Sequence, residues 1–410
     1  MSHVEYYPWL YYRGAYKWEL PGSKSLSNRW LIINYLCGGR LQINNLSQAA
    51  DSLLLYKLLK QLKAQKYNVF NCENTGTVAR FMTALLCVCP GSYILTGWPR
   101  MKQRPMAELI DALRGMGAKI RYLEAEGQLP IEVEGGELSG GEVRLSGETS
   151  SQFASALLLV APKMAEPLIL KFDKEPVSKP YISMTCEVLK TCGYEVSQMP
   201  QEISVLSTNE VKPFSVTVER DWSSAAYAYN VVAFSPQATI ILPGLPSVTL
   251  QGDRIMCQWY EKLGVHTEFS ADGVTLSNSG LNVDKKLTFD CRDTPDLVLP
   301  FAVACAGLGV EAEFCWLNTL NLKESRRLEA LSKELTELGC RNVATDERLH
   351  LYPSQLSVKK RVKTYRDHRM VMSFATLMCL FKKDVDLETP WVVYKSFPDF
   401  WKQLLIPEKI

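Results

Sequence analysis

Leu20-Pro21-Gly22-Ser23-Lys24-Ser25-Leu26-Ser27-Asn28-Arg29, followed by the apolar run Trp30 to Leu36, reads as a tight turn feeding a helix. Gly22 permits the turn and a hydroxyl residue starts the helix. The free N–H groups of the first turn then lie beside two full positive charges, Lys24 and Arg29. A helix start carries roughly half a positive charge of its own, so the whole stretch is suited to an anion. It is not a Walker P-loop, because the G-x-x-x-x-G-K spacing is absent.

The arrangement of small or polar residues, a charge and an apolar helix returns five times. Asn74-Thr75-Gly76-Thr77-Val78-Ala79-Arg80 leads into Phe81 to Val88, and Glu148-Thr149-Ser150-Ser151-Gln152 into Phe153 to Val160. Thr294-Pro295-Asp296 precedes Leu297 to Ala306, Lys323-Glu324-Ser325-Arg326-Arg327 precedes Leu328 to Leu338, and Asp367-His368-Arg369 precedes Met370 to Leu380. Several such helix starts around one cleft would receive phosphates and carboxylates.

A second periodicity sets the architecture. Four stretches, 104–121, 181–196, 253–269 and 324–343, each read as a helix of about a dozen residues, a glycine, then a strand. Their glycines, Gly117, Gly193, Gly264 and Gly339, recur every 71–76 residues and suit the left-handed position past a helix end. Helical stretches near 51–62 and 397–405 extend the count to about six units, three plus three. Short runs such as 168–172, 238–242 and Trp391-Val392-Val393-Tyr394 read as strands between them. The class is mixed α/β. The best internal break falls at Val218-Glu219-Arg220-Asp221, where a strand gives way to the helix 221–233.

With 410 residues, 47% of them apolar, the chain is long enough for two ordinary globular domains. A net charge of +2 argues against broad affinity for nucleic acid or acidic membrane, so a basic site must be local. The twelve cysteines fall mostly inside apolar runs and read as buried thiols. Cys87-x-Cys89, placed in a helix, lacks a C-x-x-C or histidine partner for a metal. No apolar run reaches membrane-spanning length and no signal or transit peptide is legible, so a reducing cytoplasm is expected.

Taken in order, the motifs resemble the 5-enolpyruvylshikimate-3-phosphate synthase family over nearly the whole chain. Leu20 to Arg29 resembles its L-P-G-S-K-S-x-S-N-R opening, Asn74 to Arg80 its N-A-G-T-x-x-R, and Leu95 to Pro105 its L-T-G-x-x-R-M-x-x-R-P. Ser150-Ser151-Gln152, Ser178-Lys179-Pro180-Tyr181, Gln251-Gly252-Asp253, Pro295-Asp296, Lys323-Glu324, Asp367-His368-Arg369-Met370 and Lys395-Ser396-Phe397-Pro398-Asp399 continue the match. The resemblance implies the enolpyruvyl transferase fold: α/β, two similar domains each of three βαβαββ repeats, with the active site in the interdomain cleft. It implies one domain of 22–220 and another of 1–21 plus 221–410.

The implied reaction is a 1-carboxyvinyl transfer in the shikimate pathway of aromatic amino-acid biosynthesis. The enolpyruvyl group of phosphoenolpyruvate goes to the 5-hydroxyl of shikimate 3-phosphate and phosphate is released, without metal or organic cofactor. By motif match, Lys24, Ser25, Arg29, Ser150, Ser151, Gln152, Ser178, Asp296 and Lys323 are expected around shikimate 3-phosphate. Lys24, Gly76, Arg104, Gln152, Arg327, Arg369 and Lys395 are expected around phosphoenolpyruvate. Asp296 is expected as the base at the hydroxyl and Glu324 as the acid at the methylene carbon, with Lys24 and Lys395 stabilising developing charge. A monomer with small-molecule substrates alone is expected, with neither nucleic acid nor membrane as partner.

Several positions depart from the family pattern. Thr75 stands where Ala is usual, Arg220 and Trp222 flank Asp221 where Gly and Ala are frequent, and Thr319, Asn321 and Arg326 replace other residues near Lys323. Two rivals remain. One is the enolpyruvyl transferase acting on UDP-N-acetylglucosamine, which usually carries a reactive cysteine in the region of Arg100 to Arg104, where this chain has none. The other is a catalytically silent binder of an anionic metabolite.

Overall fold

The computed structural model describes residues 12–148, 150–206, 211–280, 286–358 and 360–410. Thr149, part of one expected helix start, and residues 1–11 of the expected second domain lie outside the described residues. The chain divides into two compact units. One is Lys24–Val218; the other joins the segment ending at Ser23 to Glu219–Ile410. Both chain crossings lie side by side: the Ser23 N–H donates to the Glu219 carbonyl at 2.7 Å, and Gly22 forms an isolated bridge with Arg220.

Each unit is organised around three helices that are buried on nearly every side. In Lys24–Val218 these are α1 (Lys24–Leu36), α2 (Gly76–Cys87) and α3 (Ser151–Val160). In the other unit they are α4 (Trp222–Phe234), α5 (Val298–Gly307) and α6 (His368–Ala375). Their sequences explain the burial. Runs such as Ala-Leu-Leu-Leu-Val in α3 and Val-Leu-Pro-Phe-Ala-Val-Ala in α5 are apolar on every face rather than along one stripe. The three helices of each unit pack on one another.

Three four-stranded sheets and one of five strands, in which Glu408–Lys409 adds antiparallel to Gly14–Lys17, surround these helices and share one four-strand plan. Val69–Asn71 and Gly91–Thr96 pair in parallel, then Ile131–Gly135 and Lys119–Tyr122 continue antiparallel. Gly141–Leu145, Leu168–Phe172, Glu202–Leu206 and Glu195–Met199 repeat this order. So do Leu287–Asp290, Ala312–Cys315, Arg348–Leu351 and Asn342–Ala344. The fourth sheet starts from Gly14–Lys17, parallel to Ala238–Pro243, and continues through Gly273–Asn278 to Val265–Ser270. In the first three sheets a buried helix joins the parallel pair, as a βαβ crossover requires; in the fourth the whole unit Lys24–Val218 precedes the helix α4 within the connection. The glycine period has the expected cause: Gly117, Gly193, Gly264 and Gly339 all have φ between +81° and +96°.

The remaining two of the six repeats are reduced. Among the described residues one keeps only the parallel pair Gln42–Asn44 with Ser215–Thr217, and the other only the bridge Val362 to Leu387. In the first, the helix Ala50–Ala64 runs almost directly into Val69–Asn71, which leaves no chain for two antiparallel strands.

Trp391 to Tyr394, expected as a strand, is instead within the 3₁₀ helix Pro390–Lys395. Pro390 removes a ladder donor and presets φ, and residues three apart eclipse in such a helix. The Trp391 and Tyr394 rings therefore stack, with centroids 5.9 Å apart and planes 10° from parallel. Cys89 lies beyond the end of α2 rather than inside it. All twelve cysteines are free thiols, nine of them buried. Among the described residues no helix is long and apolar enough to cross a membrane.

Candidate active site

In the unit Lys24–Val218, the starts of all three buried helices carry expected site residues, and side chains link them. Lys24, the first residue of α1, donates through Nζ to Asp51 Oδ2 at 3.0 Å. Thr75, immediately before α2, donates its hydroxyl to the other oxygen of Asp51 at 2.9 Å. Between α2 and α3, Gln152 Nε2 donates to Thr77 Oγ1 at 3.3 Å, and Gln152 Oε1 is buried with no partner in the protein. Ser150 caps α3 by accepting from the Gln152 N–H. Ser178, at the start of the helix Lys179–Thr191, is buried and holds φ at +56°.

Arg104 lies against Gly76. A Cβ at that position would fall 2.5 Å from the guanidinium nitrogens, so only glycine lets the two approach. Arg80 secures the loop that presents Arg104, donating to the Pro105 carbonyl at 2.7 Å.

Arg29 is used differently from the expectation of an open substrate contact. Four of its five N–H donors are spent inside the protein, on Thr185 Oγ1, Ser155 Oγ and the carbonyls of Tyr181 and Ser25. Burial pushes its guanidinium down to about 10. The side chain ties α1 to α3 and to the helix Lys179–Thr191. Ser25 contributes its carbonyl to that arrangement.

The other unit assembles a network of acids and bases. Asp296, within the turn Pro295–Leu297 that opens α5, accepts from Arg327 at 3.0 Å and from Arg369 at 2.8 Å. Arg327 also donates to Glu324 at 2.7 Å and to Asp367 at 2.8 Å, while Lys395 reaches Glu324 at 3.4 Å. Asp367 caps α6 by accepting from the Arg369 N–H, and it also accepts from Ser325 at 2.9 Å. Lys323 acts on Asp296 through its charge. Asp296, Glu324, Arg327, Arg369 and Lys395 are thus brought together.

Exposure within this network is graded. The side chains of Asp367 and Arg327 are 0% and 1% exposed, whereas Asp296 is 20% and Glu324 and Lys395 are each 12% exposed. The buried members form the base and the partly open ones face outward, where a ligand can reach them. Burial alone would raise the Asp296 carboxyl, but Arg369, Lys323 and Arg327 outweigh it and hold the group well below the usual carboxylate range. It is ionised at any ordinary pH. Beneath the network Tyr227, on α4, keeps a buried hydroxyl without a partner, and burial pushes its phenol up to about 12.

The motifs do not single out Asp51 as a site residue and contain Asp253 and Asp367 only inside longer stretches. Asp253 is 3% exposed and accepts from Ser223 Oγ, with its other oxygen unpartnered. Burial first, then the charge of Asp296, raise its carboxyl to about 7. A carboxylate in the first turn of a repeat's second helix was the available signal for Asp51, but a plain dipole contact gives the same pattern. Among the described residues no group of three or more His, Cys, Asp or Glu side chains could hold a metal ion.

Known proteins share this architecture. A family model described as EPSP synthase (3-phosphoshikimate 1-carboxyvinyltransferase) matches residues 17–404. A 3-phosphoshikimate 1-carboxyvinyltransferase of Bacteroides fragilis is 38% identical over 94% of this chain and 93% of its own. One of Sulfurovum is 34% identical over 98% and 99%. Among solved structures, EPSP synthase from Acinetobacter baumannii superposes with a TM-score of 0.72 at 18% identity, covering 95% of this chain and 94% of its own. The enolpyruvyl transferase NikO from Streptomyces tendae gives 0.73 at 15%, covering 97% and 96%.

Proposed function

This chain belongs to the EPSP synthase family, and on that premise we propose how its residues divide the work of transferring the enolpyruvyl group of phosphoenolpyruvate to shikimate 3-phosphate with release of phosphate. The observation that carries the proposal is Asp296 held between Arg327 and Arg369, with Glu324 and Lys395 one contact away. The reaction needs a base at the 5-hydroxyl, an acid at the methylene carbon, and the reverse of both in the elimination. Asp296, ionised, is the base. Glu324, within reach of Lys395, is the acid that delivers a proton to the methylene carbon and recovers it when phosphate leaves.

Arg327 and Arg369 offer planar forks suited to a carboxylate, and Asp296 engages both of them. An incoming carboxylate competes for these donors and, by drawing them off, leaves Asp296 a stronger base. In the other unit Lys24 and Arg104 supply charge for the phosphate of phosphoenolpyruvate, and Gly76 keeps the space that Arg104 occupies. Ser25, Ser150, Ser151, Gln152 and Ser178 supply short polar groups for the hydroxyls and phosphate of shikimate 3-phosphate, joined by Lys323, while Arg29 braces the helices that carry them. The two domains are the unit Lys24–Val218 and the one that joins the segment ending at Ser23 to Glu219–Ile410, and the protein acts as a cytoplasmic monomer.

The test is phosphate release by the purified protein given both substrates, each omitted in turn, with the organic product identified by mass. Release that requires both, with enolpyruvylshikimate phosphate formed, supports the reading. Saturable binding without release overturns it in favour of a silent binder.

A further inference from the structure

Three helices of the six buried ones are capped by the side chain that precedes them. Ser150, Asp221 and Asp367 each turn an oxygen back onto the N–H groups of their own helix, at 3.3, 3.0 and 3.0 Å. Thr75, in the same position before α2, has the extended backbone of an N-cap, φ −108° and ψ 102°, yet makes no capping bond. Threonine is among the residues that ordinarily cap, so a stabilising bond at the helix start is forgone. The hydroxyl points away from the helix and donates to Asp51 Oδ1 at 2.9 Å. Thr75 is 4% exposed and Asp51 also 4%, so this bond is made where water cannot replace it.

The remaining oxygen of Asp51 holds Lys24, whose side chain is 17% exposed. We propose that Thr75 is a positioning residue for Lys24: by occupying one oxygen of Asp51 it confines that carboxylate to a single-oxygen grip on the ammonium, which keeps Lys24 available to the anionic substrate. Without the hydroxyl, a buried acceptor is left unsatisfied and the carboxylate turns both oxygens onto Lys24. The substrate phosphate must then win the ammonium from a stronger internal partner. This rests on reading Lys24 as a substrate contact and goes beyond it in naming the residue that sets the strength of its internal tether.

The test compares Thr75→Val, which keeps the shape and removes the hydroxyl, with Thr75→Ser, which keeps the hydroxyl and removes the methyl. For Thr75→Val the KM for phosphoenolpyruvate is expected to rise roughly tenfold, the scale of one hydrogen bond to a charged group, with kcat within about twofold of wild type. Thr75→Ser is expected to restore the wild-type KM. An unchanged KM in Thr75→Val, or a loss in Thr75→Ser as large as in Thr75→Val, overturns the proposal, since the second result assigns the effect to packing. Calorimetric binding of phosphoenolpyruvate with shikimate 3-phosphate present makes the same comparison without turnover. A wild-type protein that binds but releases no phosphate therefore fails the functional reading, while the role of Thr75 is still decided by the ratio of dissociation constants.

Discussion

The helix starts around Lys24 and those around Asp296 are built from related repeats, yet they hold charge in different ways. In Lys24–Val218 one buried carboxylate, Asp51, meets one lysine, and Arg29 is satisfied by hydroxyls and carbonyls alone. In the other unit three carboxylates, Asp296, Glu324 and Asp367, share Arg327, with Arg369 and Lys395 attached at the edges. The first arrangement offers fixed donors with few protons to exchange. The second couples acids and bases so that moving one cation changes the others. Binding and proton transfer call for these two kinds of environment, and the same secondary-structure plan supplies both.

The sharpest way to break this contrast is Asp296→Asn. Loss of the base should lower kcat by about 10² to 10⁴, while the freed Arg327 and Arg369 keep the KM for phosphoenolpyruvate from rising. Steady-state kinetics check both, and an unchanged kcat removes Asp296 from the chemistry. Next comes the pair Arg327→Met and Arg29→Met, followed by urea denaturation. Removing Arg327 strands the buried Asp367 carboxylate and should cost about 3–5 kcal/mol. Removing Arg29 leaves Ser155 and Thr185 bonded to each other at 3.0 Å and strands no charge, so a loss of about 1–3 kcal/mol is expected. Equal losses would erase the distinction between the two regions.

Gly76→Ala sharpens the comparison on the side of Lys24. The added methyl meets the end of a flexible side chain, so Arg104 should yield and the fold should hold. The expected outcome is a KM for phosphoenolpyruvate raised about tenfold with a melting temperature near that of wild type, the size expected from one weakened charged contact. The smallest effect concerns Asp253. With its carboxyl raised to about 7, the folded protein keeps a proton that the unfolded chain loses near its ordinary value. That contribution to stability is full at acid pH and falls away as pH climbs through 7. Asp253→Asn retains an acceptor for Ser223 without the charge. Its melting temperature should match wild type at pH 4 and exceed it at pH 8, and a parallel pH profile would refute the assignment.

Local backbone rules are legible in the sequence. The glycine period is a statement about single residues at positive φ, and the helix starts at Lys24, Gly76, Ser151 and His368 follow from caps and apolar runs a few residues long. The pairings are not. Arg29 reaches Tyr181 and Thr185 across more than 150 residues, and Asp51 becomes a site residue only because Thr75 and Lys24 arrive on two other helices. No local pattern distinguishes a substrate-facing arginine from one consumed by its own fold. Trp391 to Tyr394 departs from expectation for the same reason. Its residues suit a strand, but among the described residues it joins no sheet, and Pro390 with ring stacking settles the alternative.

The two chain crossings beside Ser23 and Glu219 have a bearing on how the protein forms. In the sheet that opens with Gly14–Lys17, Gly14 pairs with Ala238, more than 220 residues later, a contact of the kind that slows folding. Everything from Lys24 to Val218 intervenes, and that stretch has its own three-helix core and its own sheets. Once it has folded, the residues flanking it, Ser23 and Glu219, need span only a single hydrogen bond of 2.7 Å. The entropy of closing so long a loop is then largely met in advance, and the parallel pairing of Gly14–Lys17 with Ala238–Pro243 becomes a nearly local event.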